Sequence, residues 1–149
     1  MEADTFKILT YPNPTLRNKN LKELTWVDVE QREEAFKLLR TMYKFNGVGL
    51  SAPQVGLPYK VIVMDRDGEH PVVMFNPFIV EWGRGKKANR IEGCLSFPKL
   101  TKMVRRTEEI VVRYRDVDNV IKLETYSGLE ARIIAHEIEH LNGILLVDH

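Results

Sequence analysis

The chain has a single cysteine among 149 residues, Cys94, so it cannot form an internal disulfide, and a reducing, cytoplasmic compartment is the natural expectation. It lacks any apolar run long enough to span a bilayer. It also lacks a basic excess: 22 Lys and Arg face 21 Asp and Glu, which argues against a protein that binds nucleic acid directly or lies on a membrane. The start, Met1-Glu2-Ala3-Asp4-Thr5, has neither a basic opening nor an apolar stretch, so no secretory signal is expected. Repeats, low-complexity tracts and long linkers are missing as well. What is there is an ordinary globular composition, 44% hydrophobic and 29% charged, on a length that suits one domain, 1–149.

The segment around Tyr11-Pro12-Asn13-Pro14 is turn-rich and unsuited to a helix. The spacing of Phe36, Leu39, Met42 and Tyr43 predicts a helix from about Val29 to Phe45, with Asp28 and Gln31 as a capping box and Asn46-Gly47 as the stop. Short apolar, β-branched runs at Val61–Met64, Val72–Phe75 and Phe78–Trp82 predict strands. Ile110–Arg115 and Val120–Thr125 flank an Asp118-Asn119 turn. A last helix is expected from Ser127, with Glu130 closing a second capping box and Leu129, Ile133, Ile134, Ile138 and Leu141 as its apolar stripe. Asn142-Gly143 ends it. Strands in blocks with two helices predict an α+β fold: mostly antiparallel sheets packed around a central C-terminal helix, with a second helix near the N-terminus.

That last helix carries His136-Glu137-Ile138-Glu139-His140. Histidines four apart share one face, so both imidazoles reach one metal ion, and the glutamate between them can take a proton from an activated water. Cys94 is the natural third ligand: a thiolate and two imidazoles suit a borderline-soft divalent metal and leave a fourth position open. The bland alternative for Cys94 is a small buried hydrophobe. Its setting in Glu92-Gly93-Cys94-Leu95-Ser96 is polar rather than apolar. Glu139 lies off the histidine stripe and is expected to be exposed or to support the ligands from outside; His70 and His149 are expected to be unligated.

Three segments, Gly47-Val48-Gly49-Leu50-Ser51-Ala52-Pro53-Gln54, Glu92-Gly93-Cys94-Leu95-Ser96 and His136-Glu137-Ile138-Glu139-His140, resemble in order and spacing the three signature motifs of peptide deformylases. Ile8 to Arg17 and Leu141 to Asp148 resemble that family's flanking segments, so practically the whole chain is covered. The resemblance implies a hydrolase that removes the formyl group from the N-terminal formyl-methionine of nascent polypeptides and releases formate. It implies that Cys94, His136 and His140 hold one divalent metal, Fe²⁺ natively, with Zn²⁺, Ni²⁺ or Co²⁺ able to replace it. It makes Glu137 the general acid/base, and Gln54 with the Leu95 backbone N–H the oxyanion donors. Gly47 and Gly49 would let an extended peptide approach the main chain as an added strand, and Glu92 and Gly93 are further substrate-binding candidates. Val48, Leu129 and Ile133 are candidates for the methionine pocket; plain core packing is their alternative.

The chain departs from the family pattern in a few places. Ser51 stands where alanine is common, Ala135 where glutamine is, and Glu139 where aspartate is. Arg132 and Arg90 stand at positions that are often apolar. They are expected either to be solvated or to reshape the pocket rim by pairing with Glu92 or Glu130. The chain stops at Asp148-His149, where many bacterial members continue with a helix linked to ribosome docking, so a transient ribosome contact is left open. A monomer in a bacterial or phage-infected cytoplasm, or in an organelle, is expected. A zincin-like peptidase would need a third ligand on or after the same helix, and only Asp148 and His149 follow. A structural metal site would need four protein ligands and no glutamate at the catalytic position.

Overall fold

In the computed structural model, residues 4–83 and 85–149 are described; Met1–Ala3, part of the segment read above for a signal, lie outside them. The elements are α1 (Val29–Lys44), β1 (Gly49–Ser51), β2 (Val61–Met64), β3 (Val72–Trp82), β4 (Lys87–Cys94), β5 (Phe97–Thr107), β6 (Glu109–Arg115), β7 (Ile121–Ser127) and α2 (Gly128–Leu141). Five strands form an antiparallel sheet in the order β1-β2-β3-β6-β7, and β4 and β5 form a separate hairpin. Helix α2 runs between the two sheets, and from Ala131 to Ile138 every residue is buried. The α+β expectation holds. Among the described residues, no helix is long and apolar enough to cross a membrane.

Helix α1 is capped as expected: the Asp28 carboxylate accepts from the Gln31 N–H at 2.8 Å, and Gln31 Oε1 accepts from the Asp28 N–H at 3.0 Å. Its buried face is Ala35, Leu38, Thr41 and Met42, one position back from the predicted stripe. Tyr43 is on the flank, where its hydroxyl reaches Asp65. The shift hinges on Thr41, whose buried hydroxyl is satisfied twice: it donates to the Lys37 carbonyl and accepts from the Phe6 N–H, each at 2.8 Å.

Helix α2 departs from expectation at its start. Ser127 and Glu130 form no capping box; Ser127 is the last residue of the β6–β7 ladder, opposite Glu109. The chain enters the helix through Gly128 in the left-handed region (φ +61°), with its N–H on the Glu108 carbonyl at 2.8 Å. At its end, Asn142 and Gly143 (φ +73°) stop the helix as predicted.

The runs Val72–Phe75 and Phe78–Trp82 are one strand bent at Asn76. The ladder to β6 slips between Phe75 and Phe78, and Asn76 has φ +52°. The Asn76 side chain holds the bend by bonding both the N–H and the carbonyl of Leu24. The predicted turn between β6 and β7 is present, with Asn119 at φ +63°. Strands β4 and β5 were not foreseen. Their inner positions include Ala88, Glu92 and Arg106 rather than an apolar alternation, so the hairpin carries no period-2 hydrophobic signal.

Two cores result. The large one packs Leu38, Met42, Ile62, Met74, Phe75 and Ile134 between the sheet and the helices; the small one packs Leu16, Phe97, Val104, Leu145 and Leu146 under the hairpin. Leu16 comes from a 3-10 turn over Pro14–Arg17, inside the segment read as non-helical; it is one turn, stopped at Asn18.

Candidate metal centre and peptide cleft

Cys94, the last residue of β4, meets His136 and His140 from α2, and the three sets of ligand atoms lie within 4.8 Å of one another. Among the described residues this is the one Cys, His, Asp and Glu group that could hold a metal. The thiol sulfur is 3.3 Å from His140 Nε2. His136 Nδ1 is taken by Glu92 Oε1 at 3.0 Å, which leaves its Nε2 for the centre. A metal bonding sulfur at about 2.3 Å and nitrogen at about 2.0 Å needs its ligand atoms roughly 3.5 Å apart, so the cluster is close to a closed ligand shell. Burial, with the charges of His136 and Arg106, lowers the His140 imidazole to about 3. Burial alone would lower His136 too, but its hydrogen bonds to Cys94 and Glu92 raise it to about 10.

Glu92 anchors this arrangement from behind. Its two oxygens accept from Arg106 Nε at 2.7 Å, Arg106 Nη2 at 2.9 Å and Arg132 Nη1 at 2.7 Å, besides His136. Burial works against its charge, yet these partners hold the carboxyl well below the usual range. Arg106 Nη2 also donates to Glu139 Oε1 at 2.9 Å, and His149 Nε2 meets the same oxygen at 2.9 Å. Glu139, His149 and His70, the last paired with Asp67, lie outside the cluster of Cys94, His136 and His140. The resemblance had set Glu92 against substrate. It does border the cleft, but its carboxylate is fully engaged inside the protein. Arg132 is not solvated: it is 8% exposed and pairs with Glu92, one of its two predicted partners. Arg90 is exposed and forms no ion pair among the described residues. Arg106 was missed, because nothing in one sequence ties it to Glu92 once β5 goes unrecognised.

Glu137 is 5% exposed, and its Oε1 has no partner among the described residues. Burial, reinforced by the Glu92 charge and opposed by His136, pushes its carboxyl up to about 7. An unsatisfied buried acceptor beside a cysteine sulfur and two imidazoles is what a metal with its own ligand would complete, so the residues present fit the group. Gly49 exists for this carboxylate: a Cβ there would stand 2.6 Å from Glu137 Oε2 and 2.8 Å from Ile133. At Gly47 a Cβ would stand 2.7 Å from Leu95 Cδ1, a side-chain tip that can shift aside. At Gly93, by contrast, a Cβ would meet nothing within 4 Å.

Gln54 is 1% exposed. Its Oε1 accepts from the Ser51 N–H at 3.0 Å and the Ser51 hydroxyl at 2.9 Å, which turns Nε2 outward. Nε2 stands 3.1 Å from Ser96 Oγ and 3.5 Å from Cys94 Sγ. Ser96, also missed from the sequence, donates in turn to the Leu9 carbonyl at 2.7 Å.

Gln54, Glu92, Cys94, Arg132, His136 and Glu137 border one cavity of about 790 Å³, while His140 lies behind its wall. Its lining takes in Gly47-Val48-Gly49, which lead into the edge strand β1, Glu92-Gly93-Cys94-Leu95 from the end of β4, and Leu129, Arg132 and Ile133 from α2. Val48 and Leu129 are 44% and 54% exposed, which removes core packing as their role; Ile133, 6% exposed, serves both core and cavity.

The polypeptide deformylase family model matches residues 5–149. A peptide deformylase of Thermotoga neapolitana is 37% identical over 143 residues, covering 96% of this chain and 85% of the relative. A solved peptide deformylase from Synechococcus elongatus, in complex with actinonin, superposes with a TM-score of 0.92 at 36% identity, covering 99% of this chain and 80% of that one. A class I type b peptide deformylase from Acinetobacter baumannii, with Met-Ala-Ser bound, gives a TM-score of 0.90 at 30% identity, covering 97% of both.

Proposed function

The chain belongs to the polypeptide deformylase family, and on that premise we propose how its residues divide the removal of the N-formyl group from formyl-methionine at the head of nascent polypeptides. The enzyme is a metal-dependent hydrolase, and its products are formate and a free amino terminus. The observation that carries the residue assignment is the meeting of Cys94, His136 and His140 with the buried, unpartnered oxygen of Glu137. We read residues 1–149 as one catalytic domain, since the site draws on segments from Gly47 to His140.

In our reading Cys94, His136 and His140 hold one divalent metal, Fe²⁺ in the cell, with Zn²⁺, Ni²⁺ or Co²⁺ able to stand in. The metal supplies a Lewis acid that brings the pKa of water down to about 7. Glu137 takes the proton from the attacking water on its buried carboxylate at the cleft wall and returns it to the departing amine; a carboxyl raised to about 7 suits both transfers near neutral pH. Gln54 Nε2, aimed by Ser51, and the Leu95 backbone N–H donate to the oxygen that gains negative charge; fixed donors of this kind are each worth about 10²–10³ in rate.

The peptide lies between the walls of the cleft. The free edge of β1 receives it as an added strand, with Gly93 main chain on the other side. Val48, Leu129 and Ile133 enclose the methionine side chain. The partners are therefore N-formylmethionyl chains, bound mainly through backbone; the Met-Ala-Ser bound by the Acinetobacter enzyme is a methionine-headed peptide without the formyl group. We place the enzyme in a reducing cytoplasm, since its ligand Cys94 must stay a thiolate, and take it as a monomer that touches the ribosome at most transiently.

The test is formate release from formyl-Met-Ala-Ser by anaerobically purified protein loaded in turn with Fe²⁺, Zn²⁺, Ni²⁺ and Co²⁺. Turnover with the first and with at least one substitute is expected. No release with any of the four overturns the assignment.

A further inference from the structure

Arg132 is left without a task by the roles above. It stands on α2 one turn before His136, and its side chain borders the cleft. Its charge is nonetheless turned away from the substrate. Nη1 donates to Glu92 Oε2 at 2.7 Å and to the Val104 carbonyl at 2.9 Å, and Nη2 donates to the Ala88 carbonyl at 2.7 Å. An arginine is tolerated in a cleft meant for methionine because its methylene stem can serve as wall while its head is bonded elsewhere.

The three acceptors share one property: they span both strands of the hairpin that carries Cys94. Ala88 and Glu92 are on β4, and Val104 is on β5. That hairpin shares no ladder with the five-stranded sheet. The turn after Cys94 is tied to Leu9, Tyr11 and Gln54 through Ser96; along the strands themselves, the distance from the thiol to the two imidazoles is set by the joint between hairpin and α2. Besides the contact of the thiol with His140, two other polar links cross this joint, Glu92 to His136 and Arg106 to Glu139, and all of these join side chain to side chain. Arg132 alone among the described residues of α2 bonds main-chain carbonyls of both strands, so it fixes the hairpin's backbone rather than another movable side chain.

We propose that Arg132 is a positioning residue for the metal centre, clasping both strands of the Cys94 hairpin to α2 so that the thiol is held at ligand distance from His136 and His140. This rests on the metal-site reading above. A metal leaves a three-ligand site by shedding one ligand first, and Cys94 is the ligand that can swing away with its hairpin. The clasp opposes that swing. A planar fork reaches three acceptors at once, whereas a lysine ammonium is a point charge and cannot replace it fully.

The experiment follows Co²⁺ release into excess chelator by the loss of its thiolate absorption, in the parent, R132M, R132K and L38A. Losing a residue that supports a metal ligand from outside typically costs 10–100-fold in metal affinity, so release from R132M is expected to be about tenfold faster or more. R132K should be about threefold faster or more, since one ammonium satisfies fewer acceptors. L38A weakens the large core at a helix α1 position outside the hairpin's ion pairs and lowers the unfolding midpoint, with release expected to stay within about twofold of the parent. Release from R132M within twofold of the parent overturns the proposal. So does L38A releasing as fast as R132M, because Arg132 would then act only through overall stability. Should R132M fail to fold, R132K within twofold of the parent overturns it as well. A parent that binds no Co²⁺ overturns the metal-site reading itself, an outcome distinct from these.

Discussion

Helix α2 brings His136, Glu137 and His140 to the centre from inside the large core, whereas the β4–β5 hairpin brings Cys94 from above a core of five buried residues. The helix holds its groups by apolar packing on nearly every side. The hairpin is held by charge: Glu92, Arg106, Arg132 and Glu139 form a chain of ion pairs from β4 and β5 to α2. The difference teaches where each half is vulnerable. Apolar packing is tolerant of isosteric change, while a buried ion network is costly once one member is removed.

The sharpest way to separate the halves is to silence the helix side without touching any ligand. E137Q keeps shape and burial but cannot take a proton. Formate release is expected to fall about 10²–10⁴-fold. Metal content, measured after gel filtration, should stay at the parent level. An E137Q enzyme that turns over within tenfold of the parent would remove Glu137 from the chemistry.

On the hairpin side the matching change is E92Q. It leaves the buried Arg106 and Arg132 without their shared carboxylate, and breaking a buried pair in this way costs about 3–5 kcal/mol. The expected result is a large drop in the urea midpoint, together with weaker metal retention through the loosened His136. A loss below about 1 kcal/mol would mean that the apolar residues under the hairpin, not its charges, hold it in place, and the contrast drawn above would collapse.

The same contrast explains what was legible in the sequence. The α2 half could be read because a 3.6-residue apolar period, a motif and a stop signal coincide in one short stretch. The helix start could not, because Ser127 is committed to the β6–β7 ladder and the turn is made by Gly128. The α1 stripe was misplaced by one position for a similar reason: a doubly bonded Thr41 is buried where an apolar residue would be sought. The hairpin half was invisible as structure, since polar residues that pair across sequence separations of 14 to 44 leave no local pattern. Its motif was still readable through the family resemblance, which is why Cys94 was found and Arg106 and Ser96 were not. Gly49 was read for the substrate, but the structure gives it a nearer cause in the Glu137 carboxylate.

The smallest expected effect lies where the two halves meet. Gln54 faces the hairpin thiol, but its aim is set from β1 by Ser51, through one backbone and one hydroxyl bond to the same oxygen. S51A removes the hydroxyl and leaves the backbone N–H. A neutral hydrogen bond contributes about 0.5–1.5 kcal/mol net, so kcat should fall by about tenfold at most. The change should sit in kcat with KM nearly untouched, because the donor acts on charge that exists only in the transition state. Q54L sets the upper bound at about 10²–10³, since it removes the donor itself. An alanine at position 51, the residue the family often carries there, is compatible with activity only if the backbone bond suffices to aim the amide. Should S51A lose as much as Q54L, that bond does not suffice, and the hydroxyl is the part of this chain that makes its oxyanion donor work.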